Sequence, residues 1–156
     1  MRWRRELPGG LTLQPGERVL AQAATPDEGV VAASDRALHL PVDGEYVRIP
    51  WERVEQAGWR DGVLHVNETD GRAFNILLRM PGSVPETVRE RVTATIVAST
   101  QVSLSGGGKV RIVCRRAPGG DLRWSLVFDK GLNPEDPAVQ AEARRHLEEF
   151  RAQTGL

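Results

Sequence analysis

Apolar and polar residues alternate with a period of two through most of the first half of the chain, the spacing that sends successive side chains to opposite faces of a strand. The pattern predicts strands over Glu17–Ala24, Val30–Ser34, Ala37–Val42, Tyr46–Ile49, Val63–Asn67 and Ala73–Arg79. Leu38, Leu40 and Val42 share one face of the third, with His39 on the other. Leu64 and Val66 alternate in the same way, as do Phe74, Ile76 and Leu78. Asp-Gly at 43–44, 61–62 and 70–71 suits the positive backbone angles of tight hairpins. Between Arg48 and Arg60 the run Arg-Ile-Pro-Trp-Glu-Arg-Val-Glu-Gln-Ala-Gly-Trp-Arg reads as a corner, because Pro50 cannot donate to a central ladder and the chain must turn there. Trp51 and Trp59 are available to fill the space beneath it. Short strands at this spacing, none able to stand alone, imply an antiparallel sandwich or strongly bent barrel.

The texture changes after Pro81-Gly82. Val84, Val88, Val92 and Ile96 fall four apart, joined by Thr95 and Val97, which predicts a helix capped by Ser83 with Pro85 in its first turn. Ser105-Gly106-Gly107-Gly108 reads as a flexible joint. Beyond it, Val110, Ile112 and Cys114 alternate; after the Pro118–Asp121 turn, Leu122, Trp124, Leu126 and Phe128 alternate again. Asp136-Pro137 then opens a helix whose Val139, Ala143, His146, Leu147 and Phe150 trace one face. The expected organisation is a flexible arm over residues 1–12, a sandwich over 13–100 capped by its helix, and a strand-strand-helix extension over 101–156. The fold class is α+β.

Two stretches carry a family resemblance. Val31–Leu40 has the form of a strand, a turn with Arg36 and a second strand, and Arg48–Val54 is an Ile-Pro-aromatic-acidic corner. With the later hairpin and helix, they make the first unit similar to bacterial pleckstrin-homology-like (PH-like) or GRAM-like domains. That resemblance implies a bent sandwich of antiparallel strands closed by one C-terminal helix. Members that bind phosphoinositides place basic residues around the first hairpin loop. Here that loop carries Asp27 and Glu28, which repel a phosphate head group, so a phosphoinositide membrane partner is disfavoured.

Composition narrows the function classes. Lys plus Arg and Asp plus Glu both number 21, so the molecule has no net field to attract nucleic acid or an anionic surface. Any basic function must be local. The single cysteine, Cys114, excludes an internal disulfide and fits a reducing compartment, so a cytoplasmic location is expected. Met1–Arg5 is basic, but Glu6-Leu7-Pro8-Gly9-Gly10 follows where a signal peptide needs an apolar core.

Several residues invite chemistry. Gly106-Gly107-Gly108-Lys109 suggests a phosphate loop, but Val110 stands where Ser or Thr is needed and a strand follows instead of a helix. His39 and His65 could approach one another on an outer face with Glu68 nearby, yet no tight His-x-x-x-His spacing exists, so no metal is expected. Cys114 alternates with buried positions and lacks a base. Arg111, Arg115, Arg116 and Arg123 would gather on the polar side of the tail hairpin, where Arg2, Trp3, Arg4 and Arg5 could join them. Such a ribbon could lie along a phosphate backbone; the zero net charge favours a solvated face instead. The expectation is a protein without catalytic residue or cofactor, acting in protein interaction or self-association through Trp51, Trp59, Trp124, Phe128 and Phe150. The alternative is a nucleic-acid adaptor using the four hairpin arginines.

Overall fold

A computed structural model describes residues 7–117 and 120–156. Among these the chain is α+β, with ten strands in three antiparallel sheets and two α-helices. It divides into two compact units, Met1–Ala94 and Thr95–Leu156.

In the first unit, β1 (Val19–Ala24), β2 (Val30–Ser34), β3 (Ala37–Val42) and β4 (Glu45–Pro50) form a meander in chain order. Asp43, at φ 51°, and Gly44, at φ 80°, make the turn into β4 in the left-handed region. The chain then turns through one short 3-10 segment, Trp51–Arg53, directly after Pro50. A second meander follows: β5 (Val54–Arg60), β6 (Val63–Glu68) and β7 (Ala73–Leu77). Helix α1 (Val84–Ala94) packs against β5, β1, β2 and the 3-10 turn. Its Val84 and Val88 join Leu38, Leu40, Ile49, Val54, Leu64 and Val66 in one core, with Trp59, Phe74, Ile76 and Val92 around the margin.

The helix ends earlier than its fourfold spacing suggests. Ile96 opens β8 (Ile96–Ser103), where even positions are half-buried and Val97, Ser99, Gln101 and Ser103 are exposed. The run Thr95-Ile96-Val97, followed by Ser99-Thr100, is rich in side chains that lose rotamer freedom in a helix and fit a pleated sheet. Strand β8 pairs with β9 (Lys109–Arg116), and β9 with β10 (Leu122–Phe128). The extension is therefore a three-stranded sheet with a helix, its first strand lying within the stretch read as helix and domain end.

Ser105–Gly108 is accordingly the turn of the β8–β9 hairpin. The Leu104 amide donates to the Gly108 carbonyl at 2.9 Å and the Gly107 amide to the Leu104 carbonyl at 3.1 Å. Gly108 sits at φ 83°, and a Cβ there would meet Leu132 side-chain carbons at 2.9 to 3.0 Å. Gly108 thus meets a steric demand of the turn.

Helix α2 (Pro137–Thr154) starts as its sequence predicts: the Asp136 carboxylate accepts from the Ala138 amide at 2.9 Å, and Pro137 follows in the first turn. Its Ala143 and Val139 pack with Leu104, Val110, Val102, Leu126, Phe128 and Leu132. Replacing Asp136 with alanine removes that cap. A loss of about 1 kcal/mol is expected in denaturant unfolding, with no change in the mass of the native protein.

Candidate functional site

Two polar clusters are built around buried carboxylates, Glu17 and Glu68. Sheet β1–β4 is covered on both faces, because the segment before β1 runs over its outer side: Leu11 is buried, and the Glu17 side chain reaches in with no solvent exposure. Registers place His39 opposite both Ala32 and Arg48, so these form a patch on that side. His39 Nε2 lies 2.9 Å from Glu17 Oε2, the same oxygen to which Ser34 Oγ donates. The Gln14 amide donates to Oε1 at 2.9 Å, and Arg48 Nη2 stands 3.5 Å from it. A carboxylate only accepts, so the His39 nitrogen is the donor. Burial pushes the Glu17 carboxyl up; the bonds from Ser34, Gln14 and His39, with the Arg48 charge, outweigh it and bring the pKa down to about 2.

This constellation of Ser, His and Glu has the wrong order for a nucleophile. In a hydrolytic triad the imidazole stands between hydroxyl and carboxylate and takes the hydroxyl proton. Here the carboxylate stands between Ser34 and His39, and Ser34 Oγ also accepts from the Arg36 and Ala37 amides at 3.1 and 2.9 Å. The cluster ties the entering segment to the sheet. His39 is thus a buried residue and not the outer-face partner of His65, whose Nδ1 bonds Asn75 Oδ1 across β6 and β7.

A second buried carboxylate, Glu68, closes the β6–β7 hairpin. Arg53 Nη2 reaches Oε2 at 2.7 Å and Arg72 Nη2 reaches Oε1 at 2.8 Å, while Asp70 accepts from the Arg72 amide and Nε. Arg72 also lies over the Phe74 ring, 5.4 Å from its centroid. Two cations and two anions close on one another. Among the described residues, no group of three or more His, Cys, Asp or Glu side chains is arranged to hold a metal ion.

The aromatic candidates divide. Trp51 is buried, with Nε1 donating to the Ser34 carbonyl at 2.8 Å, and Trp59 is half-buried against the same core. Trp51 is therefore a corner post rather than a surface residue. Trp124 meets Phe150 edge to face at 5.9 Å and carries Arg151 over its ring at 5.6 Å; Phe128 is half-buried in the helix-sheet cluster.

The arginines do not make the expected ribbon. Alternation along β9 places Arg111 and Arg115 on one face and Arg116 on the other with Cys114, and pairing sets Arg123 opposite Arg115. Arg111 and Arg123 are exposed, but Arg115 is only 2% exposed, with Nη1 3.4 Å from Ser125 Oγ. The possible contributions of Arg2, Trp3, Arg4 and Arg5 lie outside the described residues. Burial pushes the Cys114 thiol up, against the pull of Arg116 and Arg151, which leaves a poor nucleophile.

What remains open to another molecule includes the end of β7. It is the terminal strand of its sheet, and Leu77 and Met80 are 42% and 84% exposed there. Sequence reasoning passed over this strand because Leu77 alternates away from the apolar set Phe74, Ile76 and Leu78. An apolar residue on the solvent side of the pattern was the available signal.

Comparison with protein-family models, curated proteins and solved structures finds no match to this chain. No helix among the described residues is long and apolar enough to cross a membrane.

Proposed function

We propose that the first unit is a PH-like sandwich and that the chain works in the cytoplasm as a non-catalytic module for protein interaction or self-association. The order of elements supports the PH-like reading: a four-stranded meander, a proline corner, a three-stranded meander and a helix over the core. The lone, buried thiol supports the compartment. The observation that carries the interaction reading is the exposed Leu77 on a terminal strand, with the exposed Met80 just beyond it, in a unit whose buried Glu17 and Glu68 carboxylates are already engaged. Phosphoinositide binding draws no support, since Asp27 and Glu28 keep the first hairpin loop acidic. The nucleic-acid reading retains two exposed arginines of its four on one face, Arg111 and Arg123.

The test is light scattering over a wide concentration range at low and moderate salt, together with panning of a random peptide display library. Wild-type protein should gain mass with concentration or retain extended apolar peptides, and Leu77→Ser with Met80→Ser should weaken either behaviour. A chain that stays monomeric and retains no peptide would overturn the reading.

A further inference from the structure

We infer that β7 is the seam of a two-fold dimer, in which β7 of a second copy pairs antiparallel with it about Asn75; this rests on the interaction reading above and names the partner.

Terminal strands offer unpaired backbone groups, and proteins blunt them with bulges, prolines, charges or covering elements. Several edges here are blunted. Register shifts place bulges at Leu20 on β1 and Val97 on β8. Strand β5 has a shift between Val54 and Gln56 and is packed by α1. Strand β4 ends in Pro50, which has no amide to offer. On β10, Trp124 is engaged by Phe150 and Arg151 of α2. Strand β7 has no bulge, proline or charge: its register with β6 is unbroken from Ala73 to Leu77, and those five residues read Ala-Phe-Asn-Ile-Leu.

The phase of the ladder decides which groups face outward. The Glu68 amide donates to the Arg72 carbonyl at 2.8 Å and the Leu78 amide to the Gly62 carbonyl at 2.9 Å. Bonded pairs alternate in an antiparallel ladder, so Phe74 and Ile76 also turn their backbone groups toward β6. Ala73, Asn75 and Leu77 turn theirs toward the open edge. An antiparallel copy centred on Asn75 pairs Ala73 with Leu77 of the partner subunit and Asn75 with Asn75 of the partner subunit, so every outward amide and carbonyl finds its complement.

The side chains agree with that register. Phe74 and Ile76, both half-buried at the core margin, come opposite one another across the seam and extend the apolar inner face. A seam this short lies at the low end of specific interfaces, so a dimer dissociating in roughly the tens of micromolar is expected.

Single-cysteine cross-linking of the full chain reads the register, with wild type as control because Cys114 is buried. Bonded antiparallel residues sit about 5.5 Å apart at Cα, within disulfide reach, so Asn75→Cys should form a covalent dimer under mild oxidation. Leu77→Cys should not, because its symmetry mate lies roughly 14 Å away along the strand. Leu77→Lys, at a solvent-facing position, should weaken the dimer by at least about tenfold in sedimentation without lowering the melting temperature. Equal cross-linking at both positions, or a dimer indifferent to Leu77→Lys, would remove the β7 seam while leaving self-association standing. A chain monomeric at all concentrations that retains library peptides would exclude the second copy as occupant but keep the broader reading.

Discussion

Replacing Glu17 with alanine is expected to cost about 3 to 5 kcal/mol of folding stability, a large fraction of what a domain of this size possesses. The carboxylate accepts from Ser34, His39 and the Gln14 amide while facing Arg48, and its side chain has no solvent exposure. Deleting it leaves the buried His39 nitrogen without its acceptor. Glutamine does not restore the site, because one amide oxygen cannot serve donors at both carboxylate positions and its NH2 group faces further donors. The effect has a pH signature. The folded pKa of about 2 lies below the ordinary glutamate value of 4.5, so the stabilisation is fully present above 4.5 and is lost as pH falls from there toward 2. That difference corresponds to about 3 kcal/mol. Urea unfolding at neutral pH and at pH 3 checks both parts: wild type should lose much of its advantage over Glu17→Gln at the lower pH. A Glu17→Ala protein within about 1 kcal/mol of wild type at neutral pH would show that the cluster contributes little.

The same cluster marks where the sequence stops being legible. Strands β2 and β3 could be bounded from their alternation and turn chemistry, because each signal lies within a few residues. Pro50 announced the corner, and Val84, Val88 and Val92 announced the helix face. His39 was misplaced because alternation says which side of a strand a residue occupies, but not what covers that side. The cover is Glu17, twenty-two positions earlier in the chain. The near-continuous apolar run around His39, with Ala32 and Ala33 on the neighbouring strand, was a sign that both faces are filled. Arg115 repeats the lesson: its place opposite Arg123 follows from period two, its burial does not.

A different failure lengthened the first helix. Val84 to Ile96 keeps helical spacing across a point where the residue types change, and spacing alone carried the helix too far. The β-branched run from Thr95 favours a strand once β9 is there to pair with it, and a pairing partner more than ten residues away is invisible to a local window. The glycines that follow then looked like a joint because their turn could be recognised only with a strand on each side.

Trp51 is the second residue whose replacement should be severe. Its ring is buried where Pro50 redirects the chain, and its indole N–H donates to the Ser34 carbonyl at 2.8 Å, joining the corner to the end of β2. Trp51→Ala removes one of the largest contributors to the core and leaves that carbonyl without its indole donor, so a loss of about 4 kcal/mol is expected. Trp51→Phe keeps much of the apolar volume but not the donor and should cost about 1 to 2 kcal/mol. The two variants separate a corner post from a binding residue. If Trp51 acts as packing and hydrogen bonding require, both lower the midpoint of chemical unfolding in that order, while Trp51→Phe associates as wild type does below its transition. Unchanged stability with weakened association would instead return Trp51 to the molecular surface, and with it the interaction role that its place in the sequence first suggested.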